Sequence, residues 1–218
     1  MPDTTQQLRG TQLALWLVSE HVPINFTLTA RVRGTFYADQ LQSALSKLQH
    51  KYPPLSMRVK SESKGKAFLI PDTSLKIPVR RVEQYQPDSW IKEVTAELVR
   101  GFDPQEPPLR IVWVKGDEFS ELIFVCPHAL ADGLAAAYLI RDLLTYLNDL
   151  NAPAEPMPLY PLINELIPDF AGRQTVVWLS KLKGAIVKIL LSLRSKEDKS
   201  HLTDPAAAKT DYHLLSWN

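Results

Sequence analysis

The spacing of hydrophobic and polar positions changes several times along the chain. In INFTLTARVRG, residues 24–34, Phe26, Leu28, Ala30 and Val32 alternate with polar or basic neighbours, the period-two pattern of a half-buried strand. Over 39–49 the period lengthens. Leu41, Ala44, Leu45 and Leu48 fall at i, i+3, i+4 and i+7, one apolar stripe on a helix, which Pro53-Pro54 stops. Three short runs follow, 55–60, 67–71 and 77–82, each bounded by Lys, Ser, Gly or Pro, and each predicts a strand. Trp90, Ile91, Val94 and Leu98 mark a second helix. Two further strands, 109–114 and 121–125, are joined by KGDEF, whose glycine offers a positive φ, so the pair is expected to form a hairpin. The second of these strands runs into PHALADG, and from Gly133 to Leu150 the residues Leu139, Ile140, Leu143, Leu144 and Leu147 keep helical spacing. The motif therefore sits on a strand, a turn and a helix.

Beyond residue 150 the pattern loosens. Prolines recur from 151 to 169 and break any regular element, which predicts a crossover or linker over 151–172. A helix is expected over 173–194, with Trp178, Leu182, Ile186, Ile189 and Leu193 on one face, Lys181, Lys183, Lys188 and Arg194 on the other, and no acid. Two readings of it stand: a helix lying on an anionic membrane surface, or a connecting helix docked on the protein. Residues 195–218 read as a polar linker followed by YHLLSWN, an apolar element that stops without a turn or polar tail, so the sequence is expected to be the first half of a larger protein.

Composition narrows the function classes. Hydrophobic residues make up 45% of the chain and the formal net charge is +1, which argues for a soluble globular protein and against a general binder of nucleic acid. Cys126 is the single cysteine, so no intrachain disulfide can form, and the amino-terminal residues lack the charged and apolar regions of a signal peptide; the expected compartment is the cytoplasm, with peripheral membrane contact through 173–194. His21, His50, His201 and His213 show no ligand spacing with a second His or Cys, so no metal site is expected. Cys126 lies inside a predicted strand, where an inert buried thiol is expected.

His128 is the residue that invites chemistry. A histidine at the end of a strand titrates near neutrality and can take a proton from an attacking hydroxyl, amine or thiol. Its neighbours Ala129, Leu130 and Ala131 are small or apolar. Asp132 can cap the following helix through its carboxylate, and Gly133 allows close backbone approach. From these residues alone, a general base and a turn histidine beside a helix cap both remain open.

Three segments in order, RGTFYADQLQSALSKLQHKYPPLSMRV, FDPQEPPLRIVWV and LIFVCPHALADG, resemble the amino-terminal half of the condensation-domain and CoA-dependent acyltransferase superfamily, over about residues 13–147. The resemblance rests on a strand and helix ending near a Pro before a further strand, then a Phe-Asp-x-x-x-x-Pro-Leu-Arg segment, then His-x-x-x-Asp-Gly at mid-chain. It implies an α+β fold: a chloramphenicol-acetyltransferase-like lobe over 1–150, with a mostly antiparallel mixed sheet and flanking helices, and a tunnel closed by a second lobe. It also implies an acyl thioester on coenzyme A or on a carrier-protein phosphopantetheine as co-substrate, with no permanently bound cofactor, and an alcohol or amine as acceptor. His128 then corresponds to the general base. Asp132 corresponds to a structural aspartate paired with an arginine, for which Arg9, Arg31 and Arg33 are the candidates, and Gly133 to the glycine that lets the turn close. Condensation domains usually carry two adjacent histidines; here Pro127 stands in place of the first, which points to the ester-forming relatives. The alternative is a catalytically silent lobe of the same kind that binds a lipid or a carrier protein.

Overall fold

The computed structural model describes residues 5–63 and 65–159, which fall in the first of two units, 1–160. The expected helix over 173–194, the tail over 195–218 and the linker beyond residue 159 lie outside the described residues. In chain order the elements are β1 (Gln6–Gln7), α1 (Gly10–Ser19), β2 (Asn25–Arg33), α2 (Ala38–Lys51), β3 (Met57–Glu62) and β4 (Lys66–Pro71). They continue with β5 (Val79–Glu83), α3 (Ser89–Leu98), β6 (Arg110–Lys115), β7 (Phe119–Pro127) and α4 (Gly133–Asn148). This is an α+β fold.

The strands form two sheets, where the sequence suggested one. The larger has the order β2-β7-β6-β5, antiparallel except for β5 beside β6; the smaller is antiparallel, β1-β4-β3. Strand β7 is central to the larger sheet, and its residues from Ser120 to Pro127 are buried. Burial on both faces is why this stretch reads as a continuous apolar run, whereas β2 alternates.

Each face of the larger sheet has its own core. Ile111, Trp113, Leu122, Phe124 and Cys126 point to one side, where the α2 stripe Leu41, Ala44, Leu45 and Leu48 meets Leu139, Leu143 and Tyr146 of α4. Val112, Val114, Ile123 and Val125 point to the other side and pack on Val94 of α3, with Trp90 and Leu98 at its margin. The smaller sheet closes over Trp16 of α1 with Leu8, Met57, Val59, Ala67 and Leu69.

The hairpin β6–β7 turns at Gly116, but this residue is not at positive φ; among the described residues the glycines so placed are Gly10, Gly34 and Gly65. Glycine is needed at 116 for space, since a Cβ there would collide with the Phe119 carbonyl oxygen and the Gln84 side-chain oxygen.

The Phe-Asp-x-x-x-x-Pro-Leu-Arg segment is an architectural clamp. Arg110 is buried, its Nε 2.6 Å from Glu97 Oε2, while its other nitrogens donate to the carbonyls of Arg100 and Gly101 at 2.6 and 3.0 Å. Its guanidinium lies 4.1 Å from the Phe102 ring centroid. Asp103 shapes the intervening turn by accepting from the Gln105 amide at 2.8 Å. Glu97 is also approached by Arg80 at 3.0 Å. Burial alone would raise its pKa, but hydrogen bonds from Arg80 and Arg110 outweigh that effect and hold the carboxyl below its ordinary value.

Candidate active site

The end of β7 places His128. Its backbone N–H donates to Ile24 O at 2.9 Å, which extends the β2–β7 ladder by one residue, and the chain then turns as the amides of Leu130 and Ala131 return to Pro127 O. The side chain is exposed, with its ring centroid 5.6 Å from that of Phe26. Nδ1 lies 3.2 Å from Ala131 O. A carbonyl oxygen only accepts, so in this contact Nδ1 is the donor, and among the described residues Nε2 has no hydrogen-bond partner.

Asp132 stands at the N-cap of α4, its carboxylate accepting from the Ala135 amide at 2.8 Å. Among the described residues no ion pair reaches it. The three arginine candidates are engaged elsewhere: Arg9 on Gln7, Arg31 on Glu121 at 2.9 Å and Arg33 on Glu118 at 3.3 Å. The described residues therefore give Asp132 a capping role in which its carboxylate satisfies a helix amide. Gly133 has nothing within 4 Å of where a Cβ would stand, and its φ is not in the left-handed range. Neither turn geometry nor crowding within the described residues demands glycine there.

Beside this turn opens a cleft of about 920 Å³. Leu130, Ala131 and Asp132 form one edge, α4 contributes Leu134, Tyr138 and Leu139, and Pro54, Leu55 and Leu69 line the opposite side. His128 itself is not part of the lining. Ala131, whose carbonyl meets the imidazole, is the link between the base and the cleft. The thiol of Cys126 is fully buried, which pushes it up to about 12 and makes it a poor nucleophile.

One polar cluster on the cleft wall is missing from the sequence reading. Asp142 is buried on α4 and receives Lys51 Nζ at 2.6 Å, the Tyr52 hydroxyl at 2.7 Å and Arg141 Nε at 2.8 Å. Burial raises the Asp142 pKa, yet the three donors together hold the carboxyl below its ordinary range; burial and the neighbouring carboxylate push the Tyr52 phenol up. The cluster ties the C-terminal end of α2 to α4. Leu139, Leu143 and Tyr146 lie at i, i+4 and i+7, and Asp142 lies i+3 from Leu139, so its inward position was available from the helical period.

The sequence matches no family model and no curated protein. Solved structures do match. The X-domain from teicoplanin biosynthesis is 17% identical, with a TM-score of 0.60 over 75% of this chain and 38% of its own. The starter condensation domain of rhizomide synthetase RzmA is 16% identical, with a TM-score of 0.60 over 78% of this chain and 44% of its own. The condensation domain from Monacolin K polyketide synthase MokA is 15% identical, with a TM-score of 0.58 over 87% of this chain and 42% of its own. The described fold is condensation-domain-like. In each case the chain spans less than half the length of the structure it matches. No described helix is long and apolar enough to cross a membrane.

Proposed function

We propose that the chain carries the base-bearing part of an acyltransferase that moves an acyl group from a thioester on coenzyme A or a carrier-protein phosphopantetheine to an alcohol or amine. The observation that carries this reading is the position of His128: exposed at the end of a buried central strand, its Nδ1 occupied by Ala131 O, its Nε2 free, and its turn forming the edge of an apolar cleft in a condensation-domain fold. Nε2 takes the acceptor's proton as its oxygen or nitrogen attacks the thioester carbonyl, and the thiolate leaves. Carrier-protein use is supported by matched structures named as a condensation domain and a starter condensation domain of synthases and synthetases.

The test is thiol release from acyl-coenzyme A and acyl-pantetheine thioesters by the full-length protein, with alcohols and amines supplied as acceptors. Acceptor-dependent release lost in His128→Gln supports the reading. Undiminished release by a folded His128→Gln variant removes His128 from the chemistry.

A second reading, a silent lobe that binds a lipid or a carrier protein, draws on the fact that His128 stands outside the cleft lining. It predicts binding of acyl chains or carrier protein without turnover.

A further inference from the structure

A second cavity, of about 370 Å³, lies next to the cleft. The two share Pro156, Met157, Pro158 and Leu159. They also share the 3₁₀ turn Pro53–Ser56, which gives Pro54 and Leu55 to the larger space and Pro53 and Ser56 to the smaller. The wall between the cavities is therefore this turn together with the strap 156–159.

The strap is held in place. Met157 N–H donates to Lys51 O at the end of α2 at 2.8 Å, and further back Lys47 Nζ donates to Ala152 O at 2.7 Å. Leu159 packs on the core of the smaller sheet. Prolines on both sides of Met157 restrict the backbone, since Pro158 biases the residue before it to an extended conformation. Within this fixed strap the Met157 side chain is the long, unbranched and half-buried element, a type that fills irregular space and is readily replaced by smaller groups.

The charged groups at the larger cleft offer little attraction of one sign. Lys51 and Arg141 both engage Asp142, Asp132 caps α4, and Glu155 stands exposed. What remains for recognition is the apolar wall. Its volume is at the upper end of ordinary small-molecule sites.

We infer that the cleft holds the hydrocarbon chain of the acyl group and that Met157 is the specificity-determining residue that limits its length. The inference rests on the acyl-transfer reading for the identity of the chain, but its test needs no turnover. A chain entering from the Ala131 edge fills the larger space and meets the strap; each methylene buried before that point tightens binding by about fourfold, and methylenes beyond it add nothing. Removing the Met157 side chain opens the way into the smaller cavity, where further methylenes again contribute.

The experiment measures binding of saturated fatty acids of graded length to the full-length protein by displacement of a fluorescent fatty acid. The wild type is expected to tighten with length and then level off. Met157→Ala should move the levelling point to longer chains, and Met157→Trp to shorter ones. Met157→Leu, close in volume, should leave it in place and guards against a general folding defect. A levelling point unmoved in folded Met157→Ala and Met157→Trp overturns the inference, as does a wild type that binds no fatty acid. His128→Gln should keep the wild-type length profile while losing turnover, so failure of the length inference and failure of the acyl-transfer reading are separate results.

Discussion

Two of the three segments that carry the family resemblance, FDPQEPPLR and PHALADG, are built in opposite ways. In the first, the charged residue is buried and engaged: Arg110 meets Glu97, two backbone carbonyls and the Phe102 ring. In the second, His128 and Asp132 are exposed, and each side chain makes one hydrogen bond within its own turn, with the Phe26 ring beside the imidazole. A buried side chain with four of its five donors used can lock α3 to the sheet but offers little to a ligand. A histidine with one nitrogen tied and the other free is oriented and still available. The contrast separates residues that make the fold from residues the fold presents.

The largest expected effect lies in the exposed segment. His128→Ala should lower acceptor-dependent thiol release by about 10²–10⁴-fold while leaving the melting temperature nearly unchanged, because the side chain is exposed and its ring contact is with the half-buried Phe26 alone. An equal fall in stability and turnover would place His128 with the architectural residues and dissolve the contrast.

In the buried segment the order reverses. Arg110→Ala should cost about 3–5 kcal/mol in urea unfolding, since it strips a buried carboxylate of a partner and takes a donor from the Gly101 and Arg100 carbonyls, of which only the second keeps another, Asn25 Nδ2. Glu97→Gln should cost less, because the guanidinium keeps those carbonyls. The same carboxyl predicts a pH dependence. Its folded pKa lies below the ordinary value, so the unfolded chain takes up the proton first as pH falls. The stabilisation is full above the ordinary glutamate pKa and is lost as pH drops through the folded value; unfolding measured from neutrality into acid should show this loss, and Glu97→Gln should flatten it.

Smaller effects sharpen the boundary. Gly116→Ala should destabilise by about 1–3 kcal/mol, because the obstructing Phe119 oxygen is backbone and cannot step aside. Asp132→Ala should cost about 1 kcal/mol as a lost N-cap, and Asp132→Asn only a few tenths, since asparagine caps as well. A multi-kilocalorie loss in Asp132→Asn, read from the urea midpoint, would show that an ion pair beyond the described contacts holds this carboxylate.

Much of the architecture was legible because its elements have clean periods. The α2 stripe Leu41, Ala44, Leu45, Leu48 is buried as spaced, and the β6–β7 hairpin and the strand, turn and helix around His128 lie where the pattern put them. Helix α1 was not legible. Its sequence GTQLALWLVS is apolar with little sidedness, Trp16 is its one buried residue, and no side chain caps its start. The division into two sheets was equally hidden, since strand spacing says nothing about which strands pair. On α4 a count of aliphatic residues passed over Asp142 and Tyr146, although both face inward. The position of His128 was readable from the motif; the cleft beside it was not, because its walls come from six separate regions of sequence.

The pairing of β2 with β7 also bears on the order in which the protein can be made. Arg31 and Glu121, joined across these strands, are 90 residues apart in sequence. At ribosomal speeds β2 is therefore synthesised on the order of 5–20 seconds before its only strand neighbour in the described sheet exists. During that interval its half-apolar face has α2 for company but no ladder, and an unpaired strand is a template for mispairing. Closure of the larger sheet, and with it the positioning of the histidine, thus waits on the synthesis of β7.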